Sequence, residues 1–333
     1  MKRTPLFLTA LILLLVRAGT ACREGNGGQR VQFDTVPQQA LQLPDTLNYQ
    51  QRLLALANGD RSGRWPVQTA LPLEGALLPF KRVVAFYGNF YSSQMGILGE
   101  PPVSLMLQKL RQQCYEWELA DTTTPVIPAI HYIAVTAQQS PVDGRYRLRM
   151  PAKEIEKAIA LADSVKGIVF LDVQVGLSTL EKELPLLGTY LKRPNVHLGI
   201  DPEFSMKTGK RPGTSIGSFD AADVNFAAGF LASIVRTYEL PPKILVIHRF
   251  TQNMLTNYQQ IQTRPEVQFV INMDGFGSPQ LKKNTYRQFV ARQPVQFTGW
   301  KVFYKNDVVT GGRITTPAEL LQLQPVPVYI QYQ

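Results

Sequence analysis

Eight apolar runs of strand length recur from Arg82 onward, separated by helix-patterned stretches, and this alternation constrains the fold more than any other feature of the 333-residue chain. The runs are Arg82–Asn89, Pro125–Val135, Gly167–Gly176, Asn195–Phe204, Lys243–Phe250, Val267–Gly277, Val295–Lys305 and Pro325–Gln333. Between them, Pro151-Ala152-Lys153-Glu154 opens a helix with proline in its first turn and Ile155, Ile159 and Ala162 at helical spacing. Ser218-Phe219-Asp220 caps another, whose Val224, Ala227, Leu231 and Ile234 form one apolar stripe. Thr316-Pro317-Ala318-Glu319 begins the last as a capping box. Strands alternating with helices imply parallel βαβ units. Eight such units in about 250 residues predict a (β/α)₈ barrel of the TIM type over residues 80–333. A doubly wound open sheet is the alternative, and it usually carries a glycine-rich phosphate turn after its first strand. Tyr87-Gly88-Asn89-Phe90-Tyr91 supplies none.

Period-two alternation then sorts side chains into the barrel or towards the helices. In the third run Val169, Leu171, Val173 and Val175 share the aliphatic face, which leaves Asp172 and Gln174 inside. In the fourth, Val196, Leu198 and Ile200 face outward, with His197, Gly199, Asp201 and Glu203 inward. The same reading places Tyr87, Asn89, His131, His248, Asn272, Asp274, Tyr329 and Gln331 inside. The seventh run is ambiguous between Lys301 with Lys305 and Trp300 with Tyr304. Deep barrel layers are normally branched and apolar, and a buried polar group needs a partner. A polar ring at the strand ends therefore predicts a ligand site, with Tyr87, Asn89, His131, Gln174, His248, Asn272 and Gln331 as substrate-binding candidates.

Asp201-Pro202-Glu203 is the sharpest piece of that ring. A spacing of two places both carboxylates on one strand face, where mutual repulsion and burial raise one of them towards the range of a general acid. Glu203 is read as proton donor and Asp201 as its tuning partner. The pair resembles the Asp-x-Glu ending of strand four in the chitinase superfamily and the similar pair of the Chalaropsis-type lysozymes. It departs from the chitinase motif in having Gly199 in place of a further acid, and Val196-His197 in place of an upstream Asp-Gly. The resemblance implies glycan chemistry with a carbohydrate substrate.

A glycosidase generally needs a second carboxylate; Asp172 and Asp274 are the candidates, completing the catalytic set Glu203, Asp201, Asp172 and Asp274. Tyr87, Phe90, Tyr91, Trp300 and Tyr304 are candidates for stacking on sugar rings. The three histidines, His131, His197 and His248, show no metal-binding spacing. No cofactor and no metal are expected, and His131 and His248 are assigned to hydrogen bonding. The basic stretch Met206–Thr214 is placed over the site as a loop.

Met1-Lys2-Arg3, the apolar run Leu6–Val16 and Ala18-Gly19-Thr20-Ala21-Cys22 follow the order of a secretory signal. The apolar run is too short for the ~20 residues of a membrane-spanning helix. The Ala-Cys ending resembles the lipobox of bacterial lipoproteins, which implies lipidation at Cys22, removal of residues 1–21 and a membrane partner through the anchor. Residues 22–79 then form a tether and N-terminal extension. Arg23 lacks the acidic character often linked to inner-membrane retention, so the outer membrane or cell surface is the expected location. With Cys22 lipidated, Cys114 has no intrachain partner and reads as a small buried hydrophobe in a helix. The net charge of +10 becomes +7 without Lys2, Arg3 and Arg17, and its scatter forms no nucleic-acid stripe. The expected protein is a lipid-anchored envelope glycoside hydrolase. A non-catalytic glycan- or peptide-binding module and a metal-dependent hydrolase are the alternatives.

Overall fold

A computed structural model describes residues 45–141 and 143–333. Cys22, the signal segment 1–21 and the tether to residue 44 lie outside the described residues. The eight runs form eight parallel strands: β1 Arg82–Gly88, β2 Val126–Ala137, β3 Ile168–Val173, β4 Val196–Ile200, β5 Lys243–Arg249, β6 Val267–Met273, β7 Phe297–Val302 and β8 Tyr329–Tyr332. Each pairs with its neighbour, and β1 pairs with both β2 (Tyr87 beside His131) and β8 (Val83 beside Tyr329). The sheet therefore closes, which excludes the doubly wound alternative. The short strand Arg147–Arg149 adds antiparallel to the end of β2.

The helices are α1 Thr46–Ala57, α2 Val103–Ala120, α3 Ala152–Ser164, α4 Leu180–Leu191, α5 Ala221–Thr237, α6 Pro279–Tyr286, α7 Asn306–Gly311 and α8 Pro317–Leu320. Asp220 caps α5 and Thr316 caps α8, each in a reciprocal capping box. Cys114 is buried on α2, and its apolar surroundings push the thiol up to about 12. No described helix is long and apolar enough to cross a membrane.

Two apolar layers follow from the alternation. Outward residues such as Phe86, Val169, Leu198, Ile247 and Trp300 pack against the helices in one large cluster. Inward residues Val83, Ala85, Phe170, Val246, Val270 and Phe297 fill the N-terminal half of the barrel in a second. Leu53 and Leu56 of α1, with Leu77 and Leu78, pack onto this second cluster and close the barrel from below. Gln268 of β6 fixes that closure by accepting from the Leu77 and Leu78 amides, both at 3.1 Å, and donating to the Leu78 carbonyl at 2.6 Å.

Candidate active site

Above the apolar layer, the inward side chains become polar on nearly every strand. At the centre is Asp172, fully buried. The Tyr87 hydroxyl donates to its Oδ2 at 3.1 Å, while His131 Nε2 and His248 Nε2 approach its Oδ1 at 3.3 and 3.4 Å. Burial alone would raise the Asp172 carboxyl, but His248 and His131 outweigh it and hold the group below the usual carboxylate range. Burial pulls His131 down to about 4, so it is neutral. Burial would lower His248 as well, but Asp172 and Asp274 raise it to about 10.

Asp274, at the end of β6, accepts from His248 Nδ1 at 2.9 Å and pairs with Lys301 of β7 at 2.9 Å. Burial opposes ionisation there, but Lys301 and His248 prevail and lower its carboxyl. Lys301 is the inward residue of β7, its ammonium 3.9 Å from the centre of the Tyr87 ring. Trp300 joins the outer cluster and Lys305 is exposed beside Glu100.

The fourth strand corrects one expectation. β4 ends at Ile200, and Asp201 caps a 3₁₀ turn over Pro202–Phe204 by accepting from the Glu203 amide at 3.1 Å. Aspartate as cap followed by proline is a helix-start signal, so the two carboxyls are not on one strand face. Both nevertheless line the same pocket, of about 510 Å³, with Asp274, Lys301, Tyr87 and Gln174. Burial and Asp274 together raise Glu203 to about 7, although Lys301 and His248 oppose them. Burial also holds Asp201 well above the usual carboxylate range; His248 opposes this, and Glu203 and Asp172 add to it. Gln174 bridges the two halves of the site, donating to Asp201 at 3.3 Å and to the Tyr87 hydroxyl at 3.4 Å.

Of the remaining candidates, His131, Asp172, His248, Asn272 and Gln331 lie fully buried beneath the pocket lining. Asn272 donates to Gln331 at 3.3 Å, and Gln331 donates to the Tyr329 hydroxyl at 3.0 Å. Asn89 stands apart from the pocket, donating to the Ile133 carbonyl at 3.0 Å and accepting from the Tyr91 amide at 2.9 Å. His197 is deep in the barrel, where its Nδ1 accepts from the Ile244 amide at 3.0 Å. The basic loop does not roof the site: Lys207 pairs with Asp223 of α5, and no residue of 206–214 lines the pocket.

Among the aromatics considered from sequence, only Tyr87 lines the pocket; Phe90 stacks on Tyr132 and Tyr304 on Tyr332. The walls come instead from Phe204, Phe250, Phe276 and Phe303, at or just after strand ends, with Met95 from the segment after β1. Phe276 and Phe303 meet edge-to-face, ring centres 5.9 Å apart. A buried ion pair holds both: Asp307 of α7 accepts from the Gly277 and Phe303 amides at 3.0 Å each and pairs with Lys282 of α6. Lys282 also donates to the Lys301 carbonyl at 2.7 Å.

No protein-family profile matches the chain, and no curated protein matches it. Among solved structures, it is similar to a GH5-4 broad specificity endoglucanase from Clostridum cellulovorans, at 10% identity and a TM-score of 0.41, covering 77% of this chain and 85% of that one. A ruminal GH26 endo-beta-1,4-mannanase is similar at 10% identity and a TM-score of 0.34, covering 76% and 59%. The barrel's own strand order carries the fold, and these likenesses add no functional argument.

Proposed function

We propose that this protein hydrolyses glycosidic bonds, with Glu203 as proton donor and Asp274 as the ionised carboxylate, at a cell envelope to which lipid on Cys22 anchors it. One observation carries the reading: two carboxyl groups of opposite disposition open into a single aromatic-walled pocket. Asp274 is paired with Lys301 and His248, whereas no cation lies within salt-bridge distance of Glu203 among the described residues. Titratable groups pushed apart in this way divide acid and base roles between them. The shift of Glu203 to about 7 keeps a protonated fraction at neutral pH, and the lowered carboxyl of Asp274 keeps it ionised.

In the reaction, the Glu203 proton passes to the leaving oxygen as the C–O bond breaks. Asp274 stabilises the positive charge that develops at the anomeric carbon. Water then supplies hydroxide to that carbon and returns a proton to Glu203. Asp201 and Gln174 fix the Glu203 backbone and the Tyr87 hydroxyl, and Phe250, Phe276 and Phe303 line the pocket with apolar surface suited to the apolar side of a sugar. Asp172 is a positioning residue in this scheme, because it lies under Tyr87 and outside the pocket lining.

The test is release of reducing ends from peptidoglycan and a polysaccharide panel by wild-type protein and Glu203→Gln. Turnover falls ~10²–10⁴-fold in the variant, as loss of a general acid predicts. Wild-type activity falls as pH rises through about 7, where Glu203 loses its proton. Undiminished hydrolysis by Glu203→Gln overturns the role of that residue. Saturable oligosaccharide binding with no product from the wild type overturns catalysis in favour of a binding module.

A further inference from the structure

Three fully buried atoms converge without completing a hydrogen bond to any protein group among the described residues: His131 Nε2, His248 Nε2 and Asp172 Oδ1. They lie within 4.8 Å of one another. The two nitrogens sit 3.3 and 3.4 Å from the oxygen. Those separations exceed the ~2.7–2.9 Å of a charge-assisted N–H···O bond. A buried carboxylate oxygen facing two imidazole nitrogens at that distance is poorly satisfied as a proton-mediated cluster.

As an edge of a coordination polyhedron, the same separation is ordinary. Metal–nitrogen and metal–oxygen bonds of about 2.0–2.1 Å give a tetrahedron with edges of about 3.4 Å. The other atom of each side chain is already held, as it is in metal sites, where outer partners fix ring orientation and tautomer. His248 Nδ1 meets Asp274 at 2.9 Å, His131 Nδ1 and the Tyr329 hydroxyl share a bond of 2.5 Å, and Asp172 Oδ2 accepts from Tyr87. Gly199 keeps side-chain atoms away from this point. A Cβ there would stand 2.4 Å from Asp172 Oδ1 and 2.5 Å from His131 Nε2.

We infer that His131, Asp172 and His248 form a binding site for one first-row divalent metal ion of the zinc class, in the barrel beneath Tyr87. Two imidazoles and a carboxylate suit such ions, with the metal taking the place of the Nε2 proton that Asp172 and Asp274 otherwise keep on His248, and they leave a coordination position open to a non-protein ligand. The ligands come from β2, β3 and β5, so no local spacing in the sequence announces them. The site adjoins the proposed hydrolytic centre through the His248–Asp274 hydrogen bond, but its existence does not depend on the reaction.

The test uses the untagged full chain, stripped with chelator and titrated with Zn²⁺ alone and with Co²⁺ alone. One equivalent of Zn²⁺ binds and raises Tm, and Co²⁺ gives the visible absorption of a low-coordinate nitrogen–oxygen site. Two of the three histidines shift their Nε2 resonances on Zn²⁺ addition, and His197 does not. His131→Asn and Asp172→Asn weaken binding on the order of 100-fold or more. The histidine resonances are read on the wild type, so they decide the matter even where a variant fails to fold. Absence of one-equivalent binding, binding that leaves both resonances unmoved, or unchanged uptake by a folded His131→Asn overturns the site. None of these readouts involves hydrolysis, so failure of the glycosidase reading leaves them intact.

Discussion

The lower and upper halves of the barrel interior are built from the same strands, yet they behave as different materials. Along β1 the inward residues run Val83, Ala85, Tyr87; along β3, Ile168, Phe170, Asp172; along β5, Ile244, Val246, His248. The first two of each belong to an apolar plug sealed from below by Leu78 and α1. The third belongs to a network in which Asp172, His248, Asp274 and Lys301 face one another and Tyr87 donates to Asp172. Burial stabilises the lower half without further conditions, whereas the upper half is stable only while its charges are matched. The contrast separates an apolar support from a polar, titratable layer within one closed sheet.

The largest effect that can break this contrast is expected in the plug. Phe297→Ala empties a side chain that is 2% exposed in the lower cluster and costs ~3–5 kcal/mol in urea denaturation. That position does not line the pocket, so substrate KM stays at its wild-type value; a changed KM shows that the two halves are not separable. At the boundary, Gly199→Ala drives a methyl into Asp172 and His131 and costs ~1–3 kcal/mol. An unchanged Tm in that variant means the network is looser than its distances suggest.

The smallest stability effect belongs to Glu203→Gln, within ~0.5 kcal/mol of wild type near pH ~3, where the carboxyl is protonated in both folded and unfolded chains. Its folded value of about 7 lies above the ~4.3 of an unfolded glutamate. The folded state therefore holds the proton longer, and wild-type stability falls as pH rises between those values. Glu203→Gln removes that slope and is the more stable protein at pH 8, as paired denaturation curves would register. Parallel slopes in the two proteins would mean Glu203 is not buried against its charge.

The plug and the ring were both legible in the sequence, because period-two alternation in a closed sheet assigns each side chain an inside or an outside. Val169, Leu171 and Val173 sufficed to turn Asp172 inward. Height was not legible, since it depends on the stagger between strands. His131 pairs in register with Phe170, yet its ring nitrogen reaches Asp172, two residues higher. The choice between Lys301 and Trp300 was undecidable because both faces of β7 carry a large amphipathic residue, and only the Asp274 partner settles it. The turn at Asp201-Pro202-Glu203 carries a cap signal followed by proline, but the apolar run before it reads equally as a strand that continues through Glu203. Phe250, Phe276 and Phe303 gave no signal, since a phenylalanine after a strand reads equally as core until the loop's path is known.

The Lys282–Asp307 pair joins the helices that follow two different strands, and this has a mechanical consequence. Phe276 and Phe303 hang from one clasp, Asp307, and lean on each other. They form a single jamb. Width where those two rings stand is set by the protein before any guest arrives, and accommodation falls to lining residues outside the clasp, such as Met95 and Gln94 of the segment after β1.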